Sequence, residues 1–211
     1  MIVVYSGEVA SLDGFVKSKL PDQHSLTIIP ATPEDLSMAK PLCHHFAGVG
    51  IRARNLSMAY YQNPKRLRSV VLKSEAIFLC GGNTYEFLQY ARDTDLFNLL
   101  TEFEQQGGMI LAESAGSILL SPDISTAAIP QLHADENHLG VEDLSAYNRL
   151  PFHVSPHFDP ASETVELELQ QLQELANASK LSVAVLQDGQ GFAYEQEICF
   201  SAGEIHWVSP T

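Results

Sequence analysis

The chain has 211 residues, 45% hydrophobic and 18% charged, with 12 Lys and Arg against 26 Asp and Glu and a formal net charge of −14. That apolar content suits one globular domain over residues 1–211. The acidic balance argues against a nucleic-acid partner, which needs clustered basic residues, and no run approaches the 18 or more apolar residues of a membrane span.

Cys43, Cys80 and Cys199 have no paired spacing, so neither a zinc site nor a disulfide frame is expected and a reduced, cytoplasmic setting is the simplest reading. The opening MIVVYSGEVASLDG is apolar for four residues only and has no basic lead-in, so it reads as a first strand rather than a signal peptide. Strand candidates follow at 2–6, 25–31, 51–58, 76–82 and 108–114. Helical patterns lie between and after them, near 33–47, 63–72, 84–92, 94–106 and 115–121. Such alternation predicts βαβ units and a parallel sheet covered on both faces.

Local chemistry marks several boundaries. Pro33 suits a first helical position, Asn83 an N-cap with Glu86 three residues on, and Gln105-Gln106-Gly107-Gly108 a glycine C-cap. Residues 122–152 are turn-rich and polar, the composition of a functional loop or lid. Beyond them, 152–158 reads as a strand end, and 161–179 as an amphipathic helix with Val165, Leu169, Leu172 and Ala176 on one stripe. Residues 181–186 read as a buried strand, and 191–197 with 197–208 as a closing antiparallel pair with Ala202-Gly203 at a turn.

Three places carry chemistry. In GGMILAESAGSILLS, Ser114 stands between an apolar strand and an apolar helix, the setting of a nucleophile elbow, with Ala112 where that motif has glycine. A plain strand–helix turn with a serine cap has the same composition. Gly81-Gly82 also ends a buried strand, and its backbone N–H groups could join that of Ala115 as an oxyanion hole; the bland reading is a glycine turn before a capped helix. His157, in SPHFDP, lies at a strand end after a rigid proline, where a serine's general base could stand.

Taken together, CGGNTYEFL, ESAGSILLSP and SPHF, with the later VLQDGQGFAYE, resemble the peptidase family that contains aspartyl dipeptidase (peptidase E) and cyanophycinase. The resemblance covers roughly residues 70 to 195. It implies an α/β three-layer sandwich with a mainly parallel sheet, like class I glutamine amidotransferases, and antiparallel strands near the C-terminus. It also implies serine-dependent hydrolysis of small peptides without metal or cofactor. Ser114 would be the nucleophile and His157 the base, with Gly81, Gly82, Asn83 and Ala115 around the oxyanion and substrate.

The third catalytic member departs from the pattern, because the family's loop acid falls near Ile129, where no acid stands. Asp135 or Glu136 is the expected replacement, against the reading that both are solvated loop acids. Glu113 is expected on the pocket wall, beside the imidazole or a substrate amine. Asp159 is a pocket-edge candidate, and Asp188 matches an acidic position of the family without an assigned role. Arg149 could hold an acidic substrate; a basic or free-amine substrate is as reasonable. A homodimer stays open. The competing functions are a non-catalytic, amidotransferase-like binding or regulatory protein, and an α/β-hydrolase-type esterase, whose His normally lies nearer the C-terminus.

Overall fold

Short β-branched and aliphatic runs build the centre of the molecule, seen in a computed structural model that describes residues 1–22, 24–34, 39–129 and 134–211. Strands β1 (Ile2–Ser6), β2 (Leu26–Ile29), β3 (Ala53–Asn55), β4 (Ala76–Leu79) and β5 (Met109–Glu113) pair in parallel in the order β3-β2-β4-β5-β1. Two antiparallel strands, β8 (Gln190–Tyr194) and β9 (Ile198–Ala202), extend this sheet beyond β1. A second sheet joins β6 (His153–Ser155) in parallel to β7 (Val183–Val185), and β7 in antiparallel to β10 (His206–Val208).

Side chains alternate across a strand, and here both faces are apolar. Ile2, Val4, Ile77, Leu79, Ile110 and Ala112 face one core, packed by α4 (Pro64–Val71), α5 (Thr84–Asp93), α6 (Leu96–Gln105) and α7 (Ala115–Leu119). Val3, Tyr5, Ala76, Phe78, Met109 and Leu111 face the other, packed by α1 (Ala10–Lys19) and α2 (Ala39–Gly48). The expected three-layer α/β sandwich, with antiparallel strands near the C-terminus, follows from that division. A third cluster sets α8 (Val165–Ser179) on the smaller sheet through Leu172 and Ala176, with Val165 and Leu169 at its margin.

Two of the three cap signals form as read; Pro33 is outside a helix, and residues 35–38 after it lie outside the described residues. Asn83 Oδ1 accepts from the N–H groups of Tyr85 and Glu86 at 3.0 and 3.1 Å. After α6, the N–H of Gly108 reaches Phe103 O at 3.0 Å and that of Gly107 reaches Glu104 O at 2.9 Å, a Schellman closure with Gly107 at φ +86°.

Four elements differ from the sequence reading. Helix α1 is absent from it, because the buried face Leu12, Asp13, Val16 includes a carboxylate and Gly14 interrupts the run. That carboxylate is buried against the Tyr5 hydroxyl at 3.1 Å and His45 Nε2 at 2.8 Å, partners a linear pattern does not display. Strand β3 is only three residues, and its expected tail turns into α3 (Met58–Tyr61). Helix α2 begins at Ala39; residues 35–38 of the predicted 33–47 helix lie outside the described residues. Finally, β10 does not continue the hairpin of β8 and β9. The chain turns at Gly203, φ +86°, and crosses to β7, where Trp207 meets Phe152 edge-on at 5.0 Å. Among the described residues no helix is long and apolar enough to cross a membrane.

Candidate active site

Strands β4, β5 and β1 are adjacent and parallel, so their C-terminal ends open onto one crevice, the usual ligand position in an open α/β sheet. Small residues end all three: Gly81-Gly82 after β4, Ser114 after β5, and Ser6-Gly7 at the end of β1. Ser114 has φ +52° and ψ −121°, and its hydroxyl caps no helical N–H. A side-chain-bearing residue in such a conformation costs roughly 1–3 kcal/mol and persists only where its surroundings dictate it.

Those surroundings are visible. The N–H of Gly116 bonds Cys80 O at 3.1 Å, and Ser114 O accepts from Ser117 Oγ at 2.6 Å and Ser117 N at 2.9 Å. A Cβ on Gly116 would lie 2.7 Å from the Leu79 carbonyl carbon, so α7 can press onto β4 only with glycine there. A Cβ on Gly81 would stand 3.1 Å from Ser114 Cβ, so Gly81 leaves the serine its space. Ala112, the departure from the elbow pattern, pairs with Val4 and Leu79 and is fully buried, so the sheet accommodates its methyl. The N–H of Ala115 is in the first turn of α7, where no intrahelical acceptor exists.

The imidazole arrives from the second sheet. His157 follows β6 with φ +62°, and its N–H donates to Ser6 Oγ at 2.9 Å. Its Nδ1 lies 2.7 Å from Asp188 Oδ1, in the turn after β7. The parallel pair β6 and β7 brings these two turns together, and Leu186 N to Ser155 O at 2.9 Å extends the pairing to them. Ser6 joins them to the main sheet: its carbonyl accepts from Gly189 N at 2.7 Å, and its buried hydroxyl lies 3.3 Å from Asp188 Oδ1. With Nδ1–H given to a carboxylate, Nε2 carries the lone pair a base needs.

Ser114, His157, Pro156, Thr84, Thr126 and Asp135 line one cavity of about 200 Å³. Besides Asp188 at its Nδ1, the imidazole has Asp135 within electrostatic reach. Asp135 is in the cavity wall, but its Oδ2 accepts from Thr84 N at 2.8 Å while its own N–H bonds Ala127 O at 2.8 Å. Burial pushes its carboxyl above the usual range, against the opposing pull of the Thr84 donors and the nearby His157. Glu136 is exposed; its side chain lies 3.5 Å from His138 Nδ1, and its carbonyl accepts from Asn83 Nδ2 at 2.9 Å. The Asn83 side chain thereby caps α5 and ties down the loop.

Alternation along β5 also moves Glu113 away from the serine. It shares a small recess with Tyr5, Glu8, Asp13 and His45 on the α1 and α2 side. Burial is the largest influence and raises its carboxyl above the ordinary value of 4.5; His157 opposes this, and Asp188 adds to it. A carboxyl raised by folding contributes its full stability below its unfolded pKa and loses it as pH rises through the folded one. Glu113→Gln should therefore raise the melting temperature at neutral pH, with the gain fading below about pH 4.5, as thermal unfolding at several pH values would show. Arg149 pairs with Glu104 at 2.7 and 3.0 Å, outside the cavity lining, and Asp159 caps the local turn at Ala161 N, 2.9 Å. Among the described residues no group of three His, Cys, Asp or Glu side chains is arranged to hold a metal.

The family model for peptidase family S51 matches residues 6–199, nearly the whole chain and every residue of this site. The chain belongs to peptidase family S51. Curated relatives include an uncharacterized peptidase of Pasteurella multocida, 31% identical over 86 residues, which are 41% of this chain and 41% of that protein. Peptidase E of Escherichia coli K12 is 27% identical over 127 residues, 57% of this chain and 52% of that protein. The matches thus span between 41% and 52% of these relatives' length. Among solved structures, a candidate peptidase E of Listeria monocytogenes EGD-e has a TM-score of 0.71 at 18% identity, covering 100% of this chain and 98% of that one. A peptidase from an acI-B1 actinobacterium has a TM-score of 0.67 at 15% identity, covering 99% and 93%. At these identities the two structures speak to the S51 fold.

Sequence reading missed Ser6, Thr84 and the pairing of Asp188 with His157. The signal for Ser6 was present: Ser6-Gly7 ends an apolar run as Gly81-Gly82 and Ser114 do. Nothing in the linear order joins residue 188 to residue 157.

Proposed function

We propose that the chain is a serine-dependent hydrolase of small peptides, with Ser114 as nucleophile, His157 as general base and Asp188 as the carboxylate that orients the imidazole. The observation that carries this reading is the strained Ser114 sharing a cavity with a histidine whose Nδ1 is held by a carboxylate at 2.7 Å. In the proposed reaction His157 Nε2 takes the Ser114 proton as Oγ attacks the scissile carbonyl. The N–H groups of Ala115 and Gly82 face the developing oxyanion. The imidazolium then protonates the leaving amine, and water, activated the same way, releases the acyl group. The non-catalytic alternative rests on a missing acid, whereas the carboxylate hydrogen-bonded to the imidazole supports the catalytic reading. The S51 membership supports peptide over ester substrates.

Labelling with a fluorophosphonate tests the nucleophile. Wild type should label, and Ser114→Ala and His157→Ala should not; a folded wild type that fails to label across neutral and mildly alkaline pH would sink the reading.

A further inference from the structure

We propose that Glu113 is a positioning residue for His157: from the recess on the α1 and α2 side of β5, its carboxylate stabilises the imidazolium that forms during reaction, and so sets the pH range in which the site works. This rests on the proposed chemistry at Ser114 and deepens it. Glu113 pairs with Tyr5 across β5 and β1. The residues that follow these two are Ser114 and Ser6, and the Ser6 hydroxyl holds the His157 turn. Gly7 lines the same recess, and a Cβ there would stand 3.4 Å from Asp188 Oδ1. The recess and the carboxylate on the imidazole therefore share one glycine as their wall.

The fold gives Glu113 no other task. Among the described residues no donor bonds its carboxylate, whereas Asp13 in the same recess is satisfied by the Tyr5 hydroxyl at 3.1 Å and His45 Nε2 at 2.8 Å. A desolvated carboxylate without donors destabilises the fold once it ionises, and carboxyls perturbed in this way collect at functional sites. The titratable groups facing Glu113 are Tyr5 on β1, Glu8 in the turn after it, Asp13 on α1, His45 on α2, and His157 and Asp188 in the turns of the second sheet. Burial raises the Glu113 carboxyl, and among these charges His157 acts on it most strongly, in the opposite direction. Such coupling is reciprocal: what an imidazolium does for the carboxylate, the carboxylate does for the imidazolium. Water screens Asp188, whose side chain is 70% exposed, more than it screens a carboxyl that burial has already desolvated.

Two readouts test this. The ring titration of His157, followed by NMR and assigned by its loss in His157→Ala, should have its midpoint at lower pH in Glu113→Gln than in wild type. The acid limb of fluorophosphonate labelling should move the same way, and its plateau rate should fall about threefold to tenfold, the effect of one charge acting through a partly desolvated wall. Glu113→Asp, which keeps the charge, should stay near wild type in both. Glu8→Gln removes an equal charge from the same recess, but the Glu8 side chain is 84% exposed, so labelling should change by less than about twofold. Glu113→Gln should fold, since it removes a desolvated charge, and Glu113→Ala makes the same comparison with a second side chain. A midpoint that stays at the wild-type value in both uncharged variants, or that moves as far in Glu8→Gln, overturns the role. The NMR midpoint needs no working nucleophile, so a coupling that fails while wild type still labels is distinguishable from a wild type that does not label.

Discussion

Asp188→Asn should lower peptide turnover and fluorophosphonate labelling by about 10²–10³-fold. Loss of the carboxylate from a buried Ser-His-Asp triad costs about 10⁴-fold, because the imidazole takes the wrong tautomer and the imidazolium loses its counter-charge. Here the carboxylate side chain is 70% exposed while the imidazole is 24% exposed, so water takes over part of its role and the smaller figure is expected. The same exposure predicts that the variant folds normally, with stability changed by no more than about 0.5 kcal/mol. Asp188→Glu, which keeps the charge, should lose less than the asparagine variant. A labelling rate for Asp188→Asn within about twofold of wild type would remove Asp188 from the mechanism.

Gly116→Ala should be the most damaging of the conservative changes to stability. The added methyl would lie 2.7 Å from the Leu79 carbonyl carbon and 2.8 Å from Leu79 Cβ, and that backbone is pinned by Leu79 pairing with Ile29 and Ala112. Neither strand can withdraw without breaking the sheet, so the strain falls on the turn at Ser114. A cost of about 3 kcal/mol is expected, at the upper end for overpacking. That corresponds to a fall of roughly 6–12 °C in melting temperature for a chain of this size. Gly14→Ala is the matched control: nothing lies within 4 Å of its added Cβ, and a helix gains about 0.5–1 kcal/mol from the exchange. If the two variants melt together, the close approach at Leu79 is not what requires glycine.

The sandwich was legible because its strands are nearly continuous apolar runs and its helices carry local marks. Asn83 caps α5 through its own side chain, and Gly107 and Gly108 close α6 with bonds to residues three and five back, respectively; both are short-range and so are written in neighbouring letters. Ser114 was legible for the same reason, since the small residues that tolerate its turn adjoin it. Helix α1 was hidden because Asp13 is buried only by virtue of Tyr5 and His45, the latter 32 residues away. The acid at His157 was hidden by sheet order. Asp135 and Glu136 lie in the loop after the serine helix, which bonds to the start of α5 with Asp135 in the cavity wall, while the pairing of β6 with β7 brings Asp188 to the imidazole. Strand alternation puts Glu113 in the recess with Tyr5 and His45, still within electrostatic reach of His157.

The hydroxyl of Ser6 touches the turn of His157 and the carboxylate of Asp188, the latter 182 positions further along the chain. On the proposed mechanism, activity would then have a time of onset during synthesis. A growing chain can complete β5 and bend at Ser114 while its imidazole still has neither anchor, because Asp188 must leave the ribosome and β7 must pair before Ser6 can hold both turns. On the proposed mechanism, a chain cut before residue 188 would lack the carboxylate that holds the imidazole.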